Sequence, residues 1–273
     1  MAVCSALSAM AAAELTIDHV TIAGKNLEAM RAALQAQGIS TELGGTHNNH
    51  ATEMALTSFT DGSYLELIAI QPNADLAAVS AHPWSKALQT DGGPCAFAVR
   101  ATDLGKEVAR LKLVGFPVSQ PERAGRTRPD GVKIEWETAD IQAGPRGSFF
   151  PFLIRDFTPR ENRAFPSGKP TTDKYRGIGK VIVGVRDLDD AIARYRHAYG
   201  LPAPRSTRSI DLAATLAYFD GTPIVLASNA TWIASRVRDY GEAPCAFILS
   251  RAKPGNHLTW LDAASLGWRL GVQ

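Results

Sequence analysis

The stretch LTIDHVTIAGKNLEAMRAALQAQG, residues 15–38, carries the two periodicities that decide the fold. Its first part, Leu15 to Ala23, is rich in β-branched side chains and reads as a strand. Asn26 then offers a side-chain acceptor ahead of Leu27, Met30 and Leu34, which fall on one helical face, and Gly38 supplies the stop. The same order returns in IGKVIVGVRDLDDAIARYRHAYG, residues 178–200. Here Ile178 to Val185 is the strand, Asp187 the cap, Leu188, Ala191, Ile192, Tyr195 and Tyr199 the apolar stripe, and Gly200 the end.

Working outward, a Gly/Thr/His/Asn loop (Gly44 to Thr52) leads to a strand near Met54 to Phe59, an Asp61-Gly62 turn and the strand Tyr64 to Ile70. Asp-Gly between apolar runs predicts a hairpin, and the unit is β-α-β-β-β. The later copy continues with Leu212 to Phe219, Asp220-Gly221 and Pro223 to Ala227. Leu188 falls on Leu27 at a shift of 161 residues and Gly221 on Gly62 at 159, which puts the length differences in loops. Pro94-Cys-Ala-Phe97 recurs as Pro244-Cys-Ala-Phe247, each after a tryptophan, Trp84 or Trp232. The first opens a second unit: strand Cys95 to Arg100, helix Asp103 to Val114 with Leu104, Val108 and Leu111 inward, and strands Val132 to Trp136 and Ser148 to Ile154. The second is cut short, with one helix-sized segment (Leu258 to Leu270) after it. Short strands with one crossover helix per unit predict an α+β fold. The expected organisation is a flexible lead at 1–14, a pair of units at 15–170, and a third unit with a truncated fourth at 171–273.

With Lys+Arg 29 against Asp+Glu 27 and no basic face, nucleic-acid capture is not expected. The densest basic run, Arg123-Ala-Gly-Arg126-Thr-Arg128, reads as a solvated loop or as a holder for an anionic ligand group. Cys4, Cys95 and Cys245 have no close spacing, which argues against a zinc cluster or a disulfide framework and predicts a reducing, cytoplasmic setting. The first residues have no positive segment, so no secretory signal is expected, and no window reaches the roughly 20 apolar residues of a membrane span. Gly-x-Gly-x-x-Gly, Walker and Gly-x-Ser-x-Gly patterns are absent from the sequence, which leaves dinucleotide, nucleotide-triphosphate and serine-hydrolase chemistry without their usual supports.

Several segments together resemble the vicinal oxygen chelate superfamily and, within it, glyoxalase-like domain proteins. They are Ile17-Asp-His19-Val20, Gly44-Gly-Thr-His47 with Thr52, Tyr64-Leu-Glu66-Leu-Ile68, Thr127-Arg-Pro-Asp-Gly131 leading to Trp136, and Phe150-Pro-Phe-Leu-Ile154. The resemblance implies paired βαβββ units forming curved, partly open mixed-sheet barrels with helices outside. It also implies a divalent metal (Fe, Mn, Ni or Zn) on the concave face, with His19 and Glu66 as ligands from the first and last strands of the first unit. The matching positions of the other units hold Ala96, Pro151 and Phe152, Lys180 and Val225, so a third ligand comes from elsewhere, His47 or His50, or the metal is absent.

By alternation Glu66 shares a face with Tyr64 and Ile68, while Leu65 and Leu67 turn to the helices. A carboxylate inside Tyr-Leu-Glu-Leu-Ile-Ala-Ile is costly to bury unless paired or ligated, so Glu66 is the first catalytic candidate, with His47 beside it. Arg128, Trp136 and Tyr64 are the expected substrate contacts, although Arg128 and Asp130 also fit a simple turn. The function expected is a small-molecule enzyme of lyase, isomerase or dioxygenase type, using a metal or Glu66 as a base whose carboxyl is raised. The alternative is a metal-free binding or resistance protein. A homodimer is one way to cover the edge left by the truncated unit.

Overall fold

The computed structural model describes residues 15–128, 130–253, 255 and 257–273; the lead at 1–14, with Cys4, lies outside the described residues. The first sheet is built from β1 (Ile17–Ala23), β2 (Glu42–Thr46), β3 (Thr52–Ser58), β4 (Tyr64–Ile70), β5 (Gly93–Arg100), β6 (Glu122–Thr127), β7 (Lys133–Ala139) and β8 (Phe152–Asp156). Its order is β2-β3-β4-β1-β5-β8-β7-β6. The second contains β9 (Tyr175–Gly184), β10 (Arg205–Ser209), β11 (Ala214–Tyr218), β12 (Ile224–Ser228), β13 (Ala243–Arg251), β14 (Thr259–Trp260) and β15 (Arg269–Val272), in the order β10-β11-β12-β9-β13-β15-β14. Both follow one plan: the first strand of a unit runs parallel to its last, β1 with β4 and β9 with β12, and two first strands join the units antiparallel, β1 with β5 and β9 with β13. These are two curled mixed sheets with helices outside, the α+β architecture the repeats predicted.

The helices α1 (Leu27–Ala36), α4 (Leu104–Leu113) and α6 (Leu188–Tyr199) are the crossovers. Asn26 accepts from the Ala29 amide at 2.9 Å, and Asp187 from the amides of Asp189 and Asp190 at 3.0 Å, as the caps required. Their apolar stripes, Leu27 and Leu34, Leu104, Val108 and Leu111, and Tyr195 and Tyr199, share one core with Val20, Ile22, Leu65 and Leu67 from the sheet. Each fully buried leucine there contributes roughly 1.5–3 kcal/mol. At the Asp61-Gly62 turn Gly62 takes φ 76°, and Asp61 accepts from the Ser63 amide at 2.7 Å.

Some local expectations change. The segment read as a loop from Gly44 begins inside β2, which bulges between Leu43 and Gly45. The last strand of the second unit starts at Phe152, because Gly147 at φ 67° breaks the chain and sends Phe149 and Phe150 into the core against Tyr195. Leu258 to Leu270 is not one helix but β14, the short α8 (Ala263–Leu266) and the start of β15, which lies parallel to β13.

Three further helices, α2 (Leu76–Ala81), α3 (Ser85–Thr90) and α5 (Arg160–Ala164), belong to the first sheet, and α7 (Thr231–Tyr240) to the second. Here the two sheets diverge. The face of the second sheet under α7 is filled by Ile182, Leu216, Val225, Ala246, Ile248 and Trp232, whereas the equivalent face of the first keeps a cavity. Among the described residues no helix is long and apolar enough to cross a membrane.

Candidate active site

The first sheet curls until its edges, β2 and β6, nearly meet. Arg126 Nη1 donates to the Gly44 carbonyl at 3.1 Å, and Asn48 Nδ2 to the Gly125 carbonyl at 2.9 Å. Inside lies a cavity of about 300 Å³. Met54, Leu56, Ile68, Trp84, Trp136, Phe152 and Ile154 give it apolar walls, a balance usual for small-molecule sites. Its polar groups include His19, His47, Tyr64, Glu66, His82, Arg126 and Arg163.

Strand register assembles the centre. Thr21 pairs with Glu66 and His19 with Tyr64 across β1 and β4, so all four share the concave face predicted by alternation. The Thr21 hydroxyl donates to Glu66 Oε2 at 2.9 Å. His19 Nε2 stands 3.9 Å from the same oxygen and His47 Nε2 stands 3.6 Å from Oε1. The His19 ring stacks on Tyr64 with centroids 4.7 Å apart and planes within 9°. His47 is held from behind by Thr52 Oγ1, 2.7 Å from Nδ1. Burial pushes the Glu66 carboxyl up, but His47, the charge of His19 and the Thr21 hydroxyl outweigh it and bring the net value down to about 2. The raised carboxyl expected for a Glu66 base is therefore reversed. Glu66 is a standing anion between two imidazoles.

Asp18, with none of its surface exposed, completes the arrangement. Its Oδ1 lies 2.6 Å from His19 Nδ1 and its other contacts are cationic: Arg163 at 2.9 Å, and Arg160. Burial raises the Asp18 carboxyl, yet Arg163 and Arg160 hold it well below the ordinary value. An ionised carboxylate only accepts, so His19 Nδ1 donates, and in the neutral ring Nε2 turns its lone pair toward the cavity. Arg163 also binds Asp156, and donates to the Tyr64 hydroxyl at 2.6 Å.

Of the residues singled out in the sequence, His19, His47, Tyr64, Glu66 and Trp136 come together on the cavity; His50 is not among its lining residues. Arg128 points elsewhere: it binds Asp130 and the carbonyls of Asn162, Phe165 and Pro166, which makes it a clamp on the chain after α5. Two positions along β6, Arg126 takes the place expected of it. Sequence reasoning missed Asp18 and Arg163, and also His82 and Trp84, which α2 and α3 carry over the cavity. The Trp84 indole donates to the Arg146 carbonyl at 2.9 Å, while burial and the positive His47 and Arg146 push His82 down to about 4.

The metal implied by the resemblance meets a poor donor set. His19 and Glu66 face each other as the half-site requires, but the facing strands offer Ala96, Ala98, Phe152 and Ile154. Among the described residues no three His, Cys, Asp or Glu side chains are disposed to hold an ion. A catalytic ion ordinarily has three protein ligands; His47, the third candidate, stands 3.6 Å from Glu66 Oε1, but with His19 and Glu66 it is not disposed as a ligand set.

Comparison with known proteins agrees with the architecture. The glyoxalase-like domain family matches residues 17–199. A crystal structure of a hypothetical protein from Staphylococcus aureus superimposes with a TM-score of 0.67 at 15% identity, covering 95% of this chain and 99% of that one. A triple mutant of 4-hydroxymandelate synthase from Streptomyces coelicolor does so with a TM-score of 0.51 at 11% identity, covering 87% of this chain and 71% of that one. No curated protein matches the sequence. With a family match over most of its length and two curled sheets of βαβββ units, the chain belongs to the glyoxalase-like domain family.

Proposed function

We propose that the cavity within residues 15–170 is the active centre of a small-molecule enzyme of lyase or isomerase type, working by proton transfer. The observation that carries this reading is the commitment of His19 Nδ1 to Asp18, 2.6 Å away, which leaves Nε2 as a base facing the cavity. As His19 takes a proton from bound substrate it becomes an imidazolium. The Glu66 anion 3.9 Å away and the Asp18 anion behind it both stabilise that charge. His47, on the other oxygen of Glu66, is placed to return a proton. Glu66 thus acts in the transfer as a fixed charge rather than as the proton acceptor.

Deuterium exchange tests this without knowledge of the natural substrate. A panel of enolisable 2-oxo acids and 2-hydroxy ketones is incubated with the protein in D2O and followed by proton NMR. The native protein exchanges the α-proton of at least one member, and His19→Gln and Glu66→Gln each slow exchange by about 100-fold or more. Retention of one equivalent of Fe, Mn, Ni or Zn, lost in both variants, would replace this reading with a metal centre on His19 and Glu66. Saturable binding with no exchange would leave a binding protein.

A further inference from the structure

Three arginines line the cavity, Arg126, Arg146 and Arg163, and they differ in what neutralises them. Arg163 is paired with Asp18 and Asp156. Arg146 donates to Asp140 at 2.8 Å and lies over the Phe152 ring, 4.2 Å from its centroid. Arg126 is only 7% exposed, yet among the described residues no carboxylate lies within 4.0 Å of it. Among the described residues its guanidinium makes one hydrogen bond, from Nη1 to the Gly44 carbonyl. Burial pushes its guanidinium down, and the Glu66 anion lining the same cavity offsets only part of that. A guanidinium stays charged in proteins and carries five donors in a fixed fork, so most of its capacity is unused here.

The position of Arg126 gives the unused donors an outlet. Arg126 pairs with Ile134 across β6 and β7 and, like Ala124 two residues earlier, faces the cavity. Trp84, Trp136 and Phe152 provide flat apolar walls around the same space. We infer that Arg126 anchors the anionic group, a carboxylate, of a ligand whose apolar body lies against Trp84, Trp136 and Phe152. Bidentate pairing of guanidinium with carboxylate supplies the missing counter-charge and fixes the ligand's orientation. The inference rests on the cavity being the functional site and extends it to a substrate class, small apolar carboxylic acids. The competing role for Arg126 is purely structural, the tie between β2 and β6.

The test compares benzoate, phenylacetate and 3-phenylpropanoate with their primary amides, by quenching of tryptophan fluorescence and by ligand-detected NMR. Native protein is expected to bind at least one of the acids about tenfold or more tightly than its amide. In Arg126→Gln, which keeps a donor for the Gly44 carbonyl but loses the charge, acid and amide bind within about twofold of each other, and the amide binds as it does to native protein. That last result shows the cavity intact. Arg126→Lys restores part of the preference. Failure of all three acids to bind native protein, equal binding of acids and amides, or a preference that survives Arg126→Gln would each overturn the inference. Equilibrium binding needs no turnover, so a His19→Gln variant that loses proton exchange but keeps the acid preference separates this inference from the catalytic reading.

Discussion

Asp18 and His19 are chain neighbours whose side chains meet, Oδ1 of the first 2.6 Å from Nδ1 of the second. In a regular strand they would face opposite sides. The register of β1 against β5 slips between Ile17, opposite Val99, and His19, opposite Ala98, so Asp18 is an extra residue in an antiparallel pair. Such a bulge re-aims a side chain, and here it gives an imidazole its carboxylate partner.

Asp18 is also the anion that Arg160 and Arg163 share, with none of its surface exposed. Asp18→Asn is expected to lower stability by about 3–5 kcal/mol, because a buried charge network loses its centre. Urea unfolding measures it, and a loss under about 1 kcal/mol would show that water or other groups already compensate the arginines.

Acid should act through Glu66. Its carboxyl moves from an ordinary 4.5 down to about 2 in the folded protein. Lowered in the native state, it contributes stability that is fully present above 4.5 and is lost as pH falls from there toward 2, up to about 3 kcal/mol in all. Asp18, also held low, adds loss in the same direction. Native protein should therefore lose more stability than Glu66→Gln between pH 6 and pH 3. Equal losses in urea unfolding would mean that the imidazoles do not stabilise the carboxylate.

Tyr64 carries two contacts: its hydroxyl accepts from Arg163 at 2.6 Å and its ring stacks on His19. Tyr64→Phe keeps the stack but strands a buried donor, so a loss of about 1–3 kcal/mol is expected with little change in ligand binding. Paired thermal unfolding and ligand titration check this. A large loss of binding with unchanged stability would mean that the hydroxyl contacts ligand.

Gly125 tests the closure of the barrel. A Cβ there would lie 2.7 Å from the Ile134 carbonyl oxygen, which is backbone and has no room to yield. Gly125→Ala should push β6 from β7, cost about 1–3 kcal/mol, and weaken ligand binding by moving Arg126 and the Gly125 carbonyl that Asn48 grips. Faster amide hydrogen exchange in 122–127 would report the opening, and unchanged exchange would count against it.

Much of this molecule was legible along the chain, and the reason is periodicity. The repeated strand-cap-helix order fixed the βαβββ units, since each step of it is a local preference. Strict alternation in Tyr64 to Ile70 put Glu66, Tyr64 and Ile68 on one face, and His19 fell on the same face of the neighbouring strand. Alternation also explains what was missed. It does not foresee a bulge, so it gives Asp18 no role, and it carries no information on how far a sheet curls, so nothing in it places Arg126 rather than the expected Arg128 at the cavity. Curling brings β6 against β2, turning Arg126 into the cavity and leaving Arg128 on the chain after α5. His82, Trp84 and Arg163 come from segments between or after the repeats, where no period applies. Local periodicity was enough for the units and for the common facing of His19 and Glu66. That the first sheet keeps a cavity while the matching face of the second is filled by apolar side chains follows from closure, which depends on side chains hundreds of bonds apart meeting across the edges.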